Sequence, residues 1–428
     1  MNVKAPGPSG NLIMGSLGDF QKDSLGFLSR AVAEHGDFVR MRFAYINAHL
    51  INHPEYIEQV LLRNAEDFDK NTRSVGKIKS TCGDSLLSAN EPAWKRQRKL
   101  IQPVFLPKYL ESASPIIDET MVDLVDRWQR LSKANEPVEM VSEMMHLVIT
   151  VSAKILFASD VNAELLESAL EVVLADTWRR LQSPVDFSDV SKAFHRPAYK
   201  KALAQIDKII FDIISERRKS GLVLDDVLSR LLVAHEADGD MSLSDEELRD
   251  AAVTLLLAGH ETTANALAWA FYHVAREPDK NFEATDLHHV FSETVRLYPS
   301  IWIMERRAKQ DTQIGDYTIG KGTSVMMSPY LLHRNPEFWP NPERFDPGRF
   351  EPEKVKARRL NSYLPFGLGQ HRCVGQNMAT LVATRVMKNI FEKFRLSVVP
   401  GNEDSPDPGI TLRHTGKLHM QLREAGSA

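Results

Sequence analysis

The stretch Phe366-Gly367-Leu368-Gly369-Gln370-His371-Arg372-Cys373-Val374-Gly375 decides how the rest of the chain is read. It carries one of only two cysteines. Three glycines crowd that cysteine, and a helical pattern begins just behind it. Glycine suits backbone that turns through positive φ or approaches a ligand closely. A cysteine at a helix N-terminus feels the positive end of the helix dipole, which favours thiolate over thiol. Gly367 and Gly369 therefore predict a tight, side-chain-free turn over a flat ligand, with Cys373 aimed at its centre. A single axial thiolate to a haem iron fits that arrangement. Two plainer readings stand beside it: a small buried hydrophobe and a cysteine nucleophile at a helix start. The third glycine falls too late for a dinucleotide fingerprint, and no Cys/His cluster offers four zinc ligands.

Composition narrows the classes. Nothing within the 428 residues reads as a linker or a repeat, so one domain spanning residues 1–428 and burying a cofactor is expected. A net charge of −4 gives no electrostatic footprint for nucleic acid. Two cysteines make no disulfide framework, which fits a reducing, cytoplasmic setting. The N-terminus shows no apolar h-region, so neither a signal peptide nor a membrane anchor is expected.

The pattern is mainly α. Short strands are expected at 38–43 and 48–51 as a hairpin, on either side of Gly315–Gly322, and as a terminal pair at 408–412 and 418–422. Residues 71–90 read as an irregular loop. Asn90 is expected to cap a helix with Pro92 in its first turn. On that helix Trp94 and Arg98 share a face and suit anionic groups of a cofactor, while Arg96 and Lys99 read as surface cations. Ser244-Asp245-Glu246-Glu247 is a capping box. The helix it opens runs to Arg276, about 33 residues and roughly 50 Å at 1.5 Å per residue. Gly259 lies in its middle, at about 1 kcal/mol against Ala, and a flat ligand on that face would want the missing side chain. Beside it, Glu261 and Thr262 place an acid and a hydroxyl in an apolar run. Threonine can bond back to a carbonyl one turn earlier, loosening the helix and leaving a gap for water. That suits proton delivery; a satisfied polar pair in a core helix is the alternative. Glu293 and Arg296 share a helix face, and if buried they need a third partner.

Together these features resemble the cytochromes P-450, the haem-thiolate monooxygenases. The likeness covers nearly the whole chain. Its parts fall in the family's order: Trp94-x-x-x-Arg98, Ala258-Gly259-x-Glu261-Thr262-Thr263, Glu293-x-x-Arg296, Pro342-Glu343-Arg344-Phe345, and the cysteine loop. The resemblance implies a mainly α cytochrome P-450 fold: a helical haem domain with a smaller β-rich N-terminal region. It implies haem b (iron protoporphyrin IX) with Cys373 as the axial ligand. Arg98, Arg306 and His371 would pair with the propionates, with Trp94 assisting. Phe366, Gly367, Gly375 and Ala258 would also border the haem. Glu293, Arg296 and Arg344 would form a buried structural ion network. Thr262 would organise water on the oxygen side and Glu261 would relay protons. Leu257, Thr263, Ile301, Trp302, Ile410 and Thr411 would line the substrate pocket, under a lid from 71–90 and 178–197. His371 stands where many members have Arg. The link from Arg276 to Glu293 is short for the family's long forms.

The implied activity inserts one oxygen atom from O2 into a hydrophobic small molecule. A separate ferredoxin- or flavodoxin-type donor with an NAD(P)H reductase would supply electrons, docking near Arg372, Lys388 and Lys393. A peroxygenase, a non-oxidative haem isomerase or dehydratase, and a non-catalytic haem ligand-binding protein are the alternatives.

Overall fold

The longest helix, Asp245–Ala275, is buried along most of its length, which is why its sequence shows no polar stripe. The capping box is formed: Glu247 N–H donates to Ser244 Oγ at 3.1 Å, and Ser244 N–H donates to Glu247 Oε2 at 2.9 Å. This helix packs most extensively against Met140–Phe157, and further against Pro197–Ser220, Leu287–Leu297 and Gln376–Lys393. Met140–Phe157 is apolar enough to cross a membrane by length and composition, but it is largely buried in this core. The computed structural model describes residues 4–110, 112–183, 196–224, 226–236, 243–277, 282, 286–401 and 405–425. Residues 278–281 and 283–285 of the link before Glu293, and residues 184–195 of the expected lid, lie outside them.

Twelve short strands complete the described fold: β1 (Phe38–Phe43), β2 (Ile46–Ile51), β3 (Phe68–Asp69), β4 (Val138–Glu139), β5 (Met304–Ala308), β6 (Thr312–Ile314), β7 (Tyr317–Ile319), β8 (Ser324–Met327), β9 (Phe394–Val398), β10 (Pro406–Pro408), β11 (Leu412–His414) and β12 (His419–Glu424). The largest sheet has the order β1-β2-β8-β5-β3 and joins the N-terminal hairpin to strands from the C-terminal half. One of its faces packs on Phe27, Leu28 and Trp302, the other on Ile57, Val60 and Leu364.

Three local expectations are corrected. Residues 71–90 are not all loop, because Arg73–Cys82 is helical. Thr72 starts it by accepting from Val75 N–H at 3.3 Å, and Gly76 sits inside it. Asn90 is not a side-chain cap: the helix runs Ala93–Ile101. Its amide instead donates to Asn71 Oδ1 at 2.7 Å and accepts from Lys70 N–H at 3.0 Å, closing the base of the loop. Finally, the two C-terminal strands do not pair with each other. β11 pairs with β10, and β12 pairs with β9 and β4.

Candidate active site

A cavity of about 560 Å³ opens between the long helix, the cysteine loop, the helix Arg73–Cys82 and the large sheet. In the buried middle of the long helix, Ala258 is exposed and Leu257, Gly259 and Thr262 are half-buried, because this face looks into the cavity. A Cβ on Gly259 would meet only Ser152 Oγ, at 3.8 Å, so no protein atom demands the glycine there. Thr263, Ile301, Trp302, Ile410 and Thr411 also line the cavity. Trp302 is part of its wall, with its indole N–H held by Gly409 O at 3.0 Å.

The cysteine loop is built as its glycines require. Gly367 and Gly369 take φ of +75° and +73°. A side chain on Gly369 would also stand 2.5 Å from Leu61 O. Cys373 N–H donates to Phe366 O at 2.9 Å and closes the turn. Gly375 is the N-cap of helix Gln376–Lys393. Cys373 is exposed, and it lines the cavity with Phe366 and Gly375. Surrounding protein raises the pKa of the free thiol, while the N–H groups of Gly375 and Gln376 and the charges of Arg98 and Arg372 oppose that shift. Those groups favour a thiolate once a cation is bound to it.

Above this loop four basic side chains converge. Lys70, Arg98, Arg306 and His371 line the same cavity with Trp94. The Trp94 and His371 rings lie 4.0 Å apart, and Lys70 Nζ and Arg98 Cζ sit 5.7 and 5.9 Å from the Trp94 ring centre. Burial, then Arg306 and Arg98, pull the Lys70 ammonium down to about 7. Burial, then Arg306, Lys70 and Arg98, push the His371 imidazole down to about 3. Burial alone lowers Arg306 to about 10. His371 Nδ1 is buried with no hydrogen-bond partner. Cations gathered in this way suit an anionic guest that answers all of them. A flat macrocycle with two carboxylates and a central metal facing Cys373 fits this donor set. Lys70 was missed from the sequence, because its only signal was a lone Lys just ahead of the stretch read as loop.

On the opposite wall Thr262 Oγ1 donates to Ala258 O at 2.6 Å, the back-bond its position predicts. Glu261 is buried and paired with Arg413 of β11, Oε1 to guanidinium 2.5 Å. Burial raises its carboxyl pKa, opposed by Arg413 and by a hydrogen bond with Thr411. Thr411 Oγ1 also accepts from Asn265 at 3.3 Å. Arg413 too escaped the sequence reading, since only the fold brings β11 to this helix.

Glu293 and Arg296 are fully buried and bidentate, at 2.6 and 2.8 Å. Their expected third partner is corrected. The Arg344 side chain is exposed, and only its carbonyl takes part, accepting from Arg296 at 3.2 Å. Arg349 supplies the second guanidinium, 3.4 Å from Glu293 Oε1 and nearly buried. The sequence holds two Pro-x-Arg-Phe copies, 342–345 and 347–350. The second forms a 3-10 turn, capped by Asp346 on Gly348 N–H, against helix Leu287–Leu297. The network reaches the cysteine loop through His333, which contacts Arg296 O at 3.0 Å and accepts from Leu364 N–H at 2.8 Å.

Comparison with known proteins agrees with this geometry. The sequence profile described as Cytochrome P450 matches residues 5–282 and 286–420, two segments that meet in the short link. Cyclooctatin synthase of Streptomyces melanosporofaciens is 30% identical, over 96% of this chain and 94% of the relative. Cyclooctat-9-en-7-ol 5-monooxygenase of the same organism is 32% identical over 88% and 86%. Pentalenene oxygenase of Streptomyces avermitilis is 26% identical over 98% and 97%. A thiolate loop, a cation cluster and an acid–hydroxyl pair around one cavity, matched by a profile over almost the whole chain, place this protein in the cytochrome P450 family of haem-thiolate monooxygenases.

Proposed function

We propose that residues 1–428 act as one cytoplasmic oxygenase unit that holds haem b and hydroxylates or epoxidises a terpenoid-like hydrophobic molecule of secondary metabolism. The observation that carries this reading is a single, mostly apolar cavity bordered by Cys373 on one side and by Glu261 and Thr262 on the other. The three relatives named above bear names of terpene-modifying enzymes, which supports the substrate class. Cys373 would ligate the iron. Lys70, Arg98, Arg306 and His371 would hold the propionates with Trp94, and Phe366, Gly367, Gly375 and Ala258 would border the ring. A haem with a thiolate ligand would supply the oxygen chemistry, in which two electrons and two protons let one atom of O2 enter a C–H or C=C bond and the other leave as water.

The chain's own contribution is proton handling and exclusion of water. Thr262 Oγ1 spends its proton on Ala258 O, which leaves its lone pairs free to hold a cavity water. Burial raises the Glu261 carboxyl pKa, which would suit it to exchange a proton with such a water. Arg413 and Thr411 fix where its carboxyl stands. Leu257, Thr263, Ile301, Trp302 and Ile410 would confine the substrate. Arg372, Lys388 and Lys393 are exposed and would meet an acidic ferredoxin or flavodoxin fed by an NAD(P)H reductase, with salt-sensitive steering.

The test is the absorption of the dithionite-reduced protein under carbon monoxide, beside Cys373→Ala. A strongly red-shifted Soret band lost in the variant is expected. Isotopically labelled O2 should then place one atom in a terpenoid product when a donor is present. Product from peroxide alone, and none with donor and O2, would favour a peroxygenase.

A further inference from the structure

We propose that Glu305 and Ser74 form a hydroxyl-recognition subsite in the cavity, so that the molecule bound there is an apolar skeleton already carrying one alcohol rather than a bare hydrocarbon. This rests on the monooxygenase reading above and names the feature of the substrate that the site selects.

The argument begins with strand register. Glu305 lies opposite Met326, and Met326 opposite Leu50; Arg307 lies opposite Ser324, and Ser324 opposite Ala48. Directly opposed residues share a sheet face. Glu305 therefore shares its face with Met326, Ser324 and Ala48, all of which line the cavity. Arg306 belongs to the other face, with Val325. From the facing helix Arg73–Cys82, Ser74, Val75 and Ile78 line the cavity. Ser74 Oγ donates to Glu305 Oε2 at 2.5 Å and exchanges a further bond with Thr72 Oγ1 at 2.9 Å.

That serine is the one hydrogen-bond partner of the Glu305 carboxylate among the described residues, and no ion pair satisfies it. The neighbouring cations are occupied. Arg307 is bound to Asp69 by two bonds at 3.2 and 2.8 Å. Arg73 donates to the carbonyls of Leu181 at 2.6 Å, Arg180 at 2.9 Å and Ser183 at the end of helix Ala163–Gln182. A carboxylate lining an apolar cavity with acceptor capacity to spare calls for a donor from the ligand. An alcohol supplies one proton without burying a second charge. A ketone or ether brings only acceptors and is disfavoured, and a hydrocarbon leaves the carboxylate desolvated and unanswered. The reaction supplying this substrate must then leave an alcohol on the skeleton, as a hydroxylation or a water-quenched cyclisation does.

Substrate-induced spectral titration of the holoenzyme with p-menthane, menthol, menthone and menthylamine tests this on one carbon skeleton. Menthol is expected to bind roughly 10- to 100-fold more tightly than p-menthane or menthone, as a hydrogen bond to a charged group allows. In Glu305→Leu the menthol advantage should shrink to within about threefold, with p-menthane binding unchanged or tighter, whereas Ser74→Ala, which leaves the carboxylate with more acceptor capacity, should keep or enlarge it. Reduced carbon monoxide spectra of the variants report that the haem side is intact. The proposal is overturned if the wild-type protein binds menthol and p-menthane alike, if menthylamine binds best, or if Glu305→Leu weakens both ligands equally. A missing thiolate band would instead overturn the monooxygenase reading itself.

Discussion

Arg344→Met and Arg349→Met set the sequence motif and the folded network against each other. Glu293 is fully buried between Arg296 and Arg349, and it also accepts from Asp346 N–H at 2.8 Å. Burial pushes its carboxyl pKa up, while Arg296, Asp346 N–H and Arg349 oppose that. Removing one partner of a buried ion pair costs about 3–5 kcal/mol when nothing else answers the charge. Here Arg296 remains bidentate and the Arg349 contact, at 3.4 Å, is an ion pair without a hydrogen bond, so Arg349→Met should cost less, about 2–3 kcal/mol. Unfolding entropy of about 2.1 cal/mol/K per residue over 428 residues amounts to about 0.9 kcal/mol/K. The melting temperature should therefore fall by roughly 2–3 °C. Arg344 has an exposed side chain, and the network uses only its carbonyl, which methionine keeps. Its replacement should stay within about 0.5 kcal/mol, too small to resolve as a shift of 1 °C. Thermal and urea unfolding at equal haem occupancy, with the haem retained on dilution, would measure both. Arg344→Met costing as much as Arg349→Met would refute the assignment of the second guanidinium.

Lys70→Met should weaken haem retention by roughly 10- to 100-fold while leaving the apoprotein as stable or more stable, since it relieves a crowded set of cations. The sign with pH follows from the lowered ammonium. Between about 7 and the ordinary 10.5 the unfolded chain holds a proton that the folded one has released, so apoprotein stability gains with rising pH; a slope unchanged in the variant would count against it. Arg413→Met removes the charge that opposes the burial of Glu261. The pH limb of donor-driven turnover that depends on Glu261 should move upward and return with Arg413→Lys, whereas a limb that stays in place would show that the pair does not set the acid. Gly369→Ala, strained by a φ of +73° and an approach of 2.5 Å to Leu61 O, should distort the cysteine loop and broaden the Soret band; an unaltered spectrum would show that the loop yields.

Local patterns made much of this site legible. The capping box, the back-bonding Thr262 and the two positive-φ glycines are short-range features, and each is satisfied as its spacing predicts. What stayed hidden depends on long-range placement. Lys70 and Arg306 are separated by most of the chain, and only the pairing of β3 with β5 brings their segments together. Arg413 reaches Glu261 because β11 is tied by Leu412 N–H to Ser300 O at 2.9 Å, just beyond the helix Leu287–Leu297. The choice between two Pro-x-Arg-Phe copies is likewise a matter of packing, decided by which turn lies on that helix.

The same distinction bears on specificity. The residues expected to line the substrate pocket are mostly apolar, Thr263 and Thr411 apart, and restrict size more than chemistry, because an apolar wall rejects an added or missing group by only about 1–3 kcal/mol. A site that answers a polar group discriminates far more strongly, since the wrong ligand leaves its partners unpaired. Glu305 is the residue here with that leverage. The family resemblance points on this strand only to Arg306, one position later and on the opposite face. Strand alternation would thus let consecutive residues serve two ligands, Arg306 on the side of the cofactor's carboxylates and Glu305 on the side of the substrate. A substitution at Glu305 should change which molecule is bound while leaving the carbon monoxide spectrum alone, and a substitution at Arg306 should do the reverse.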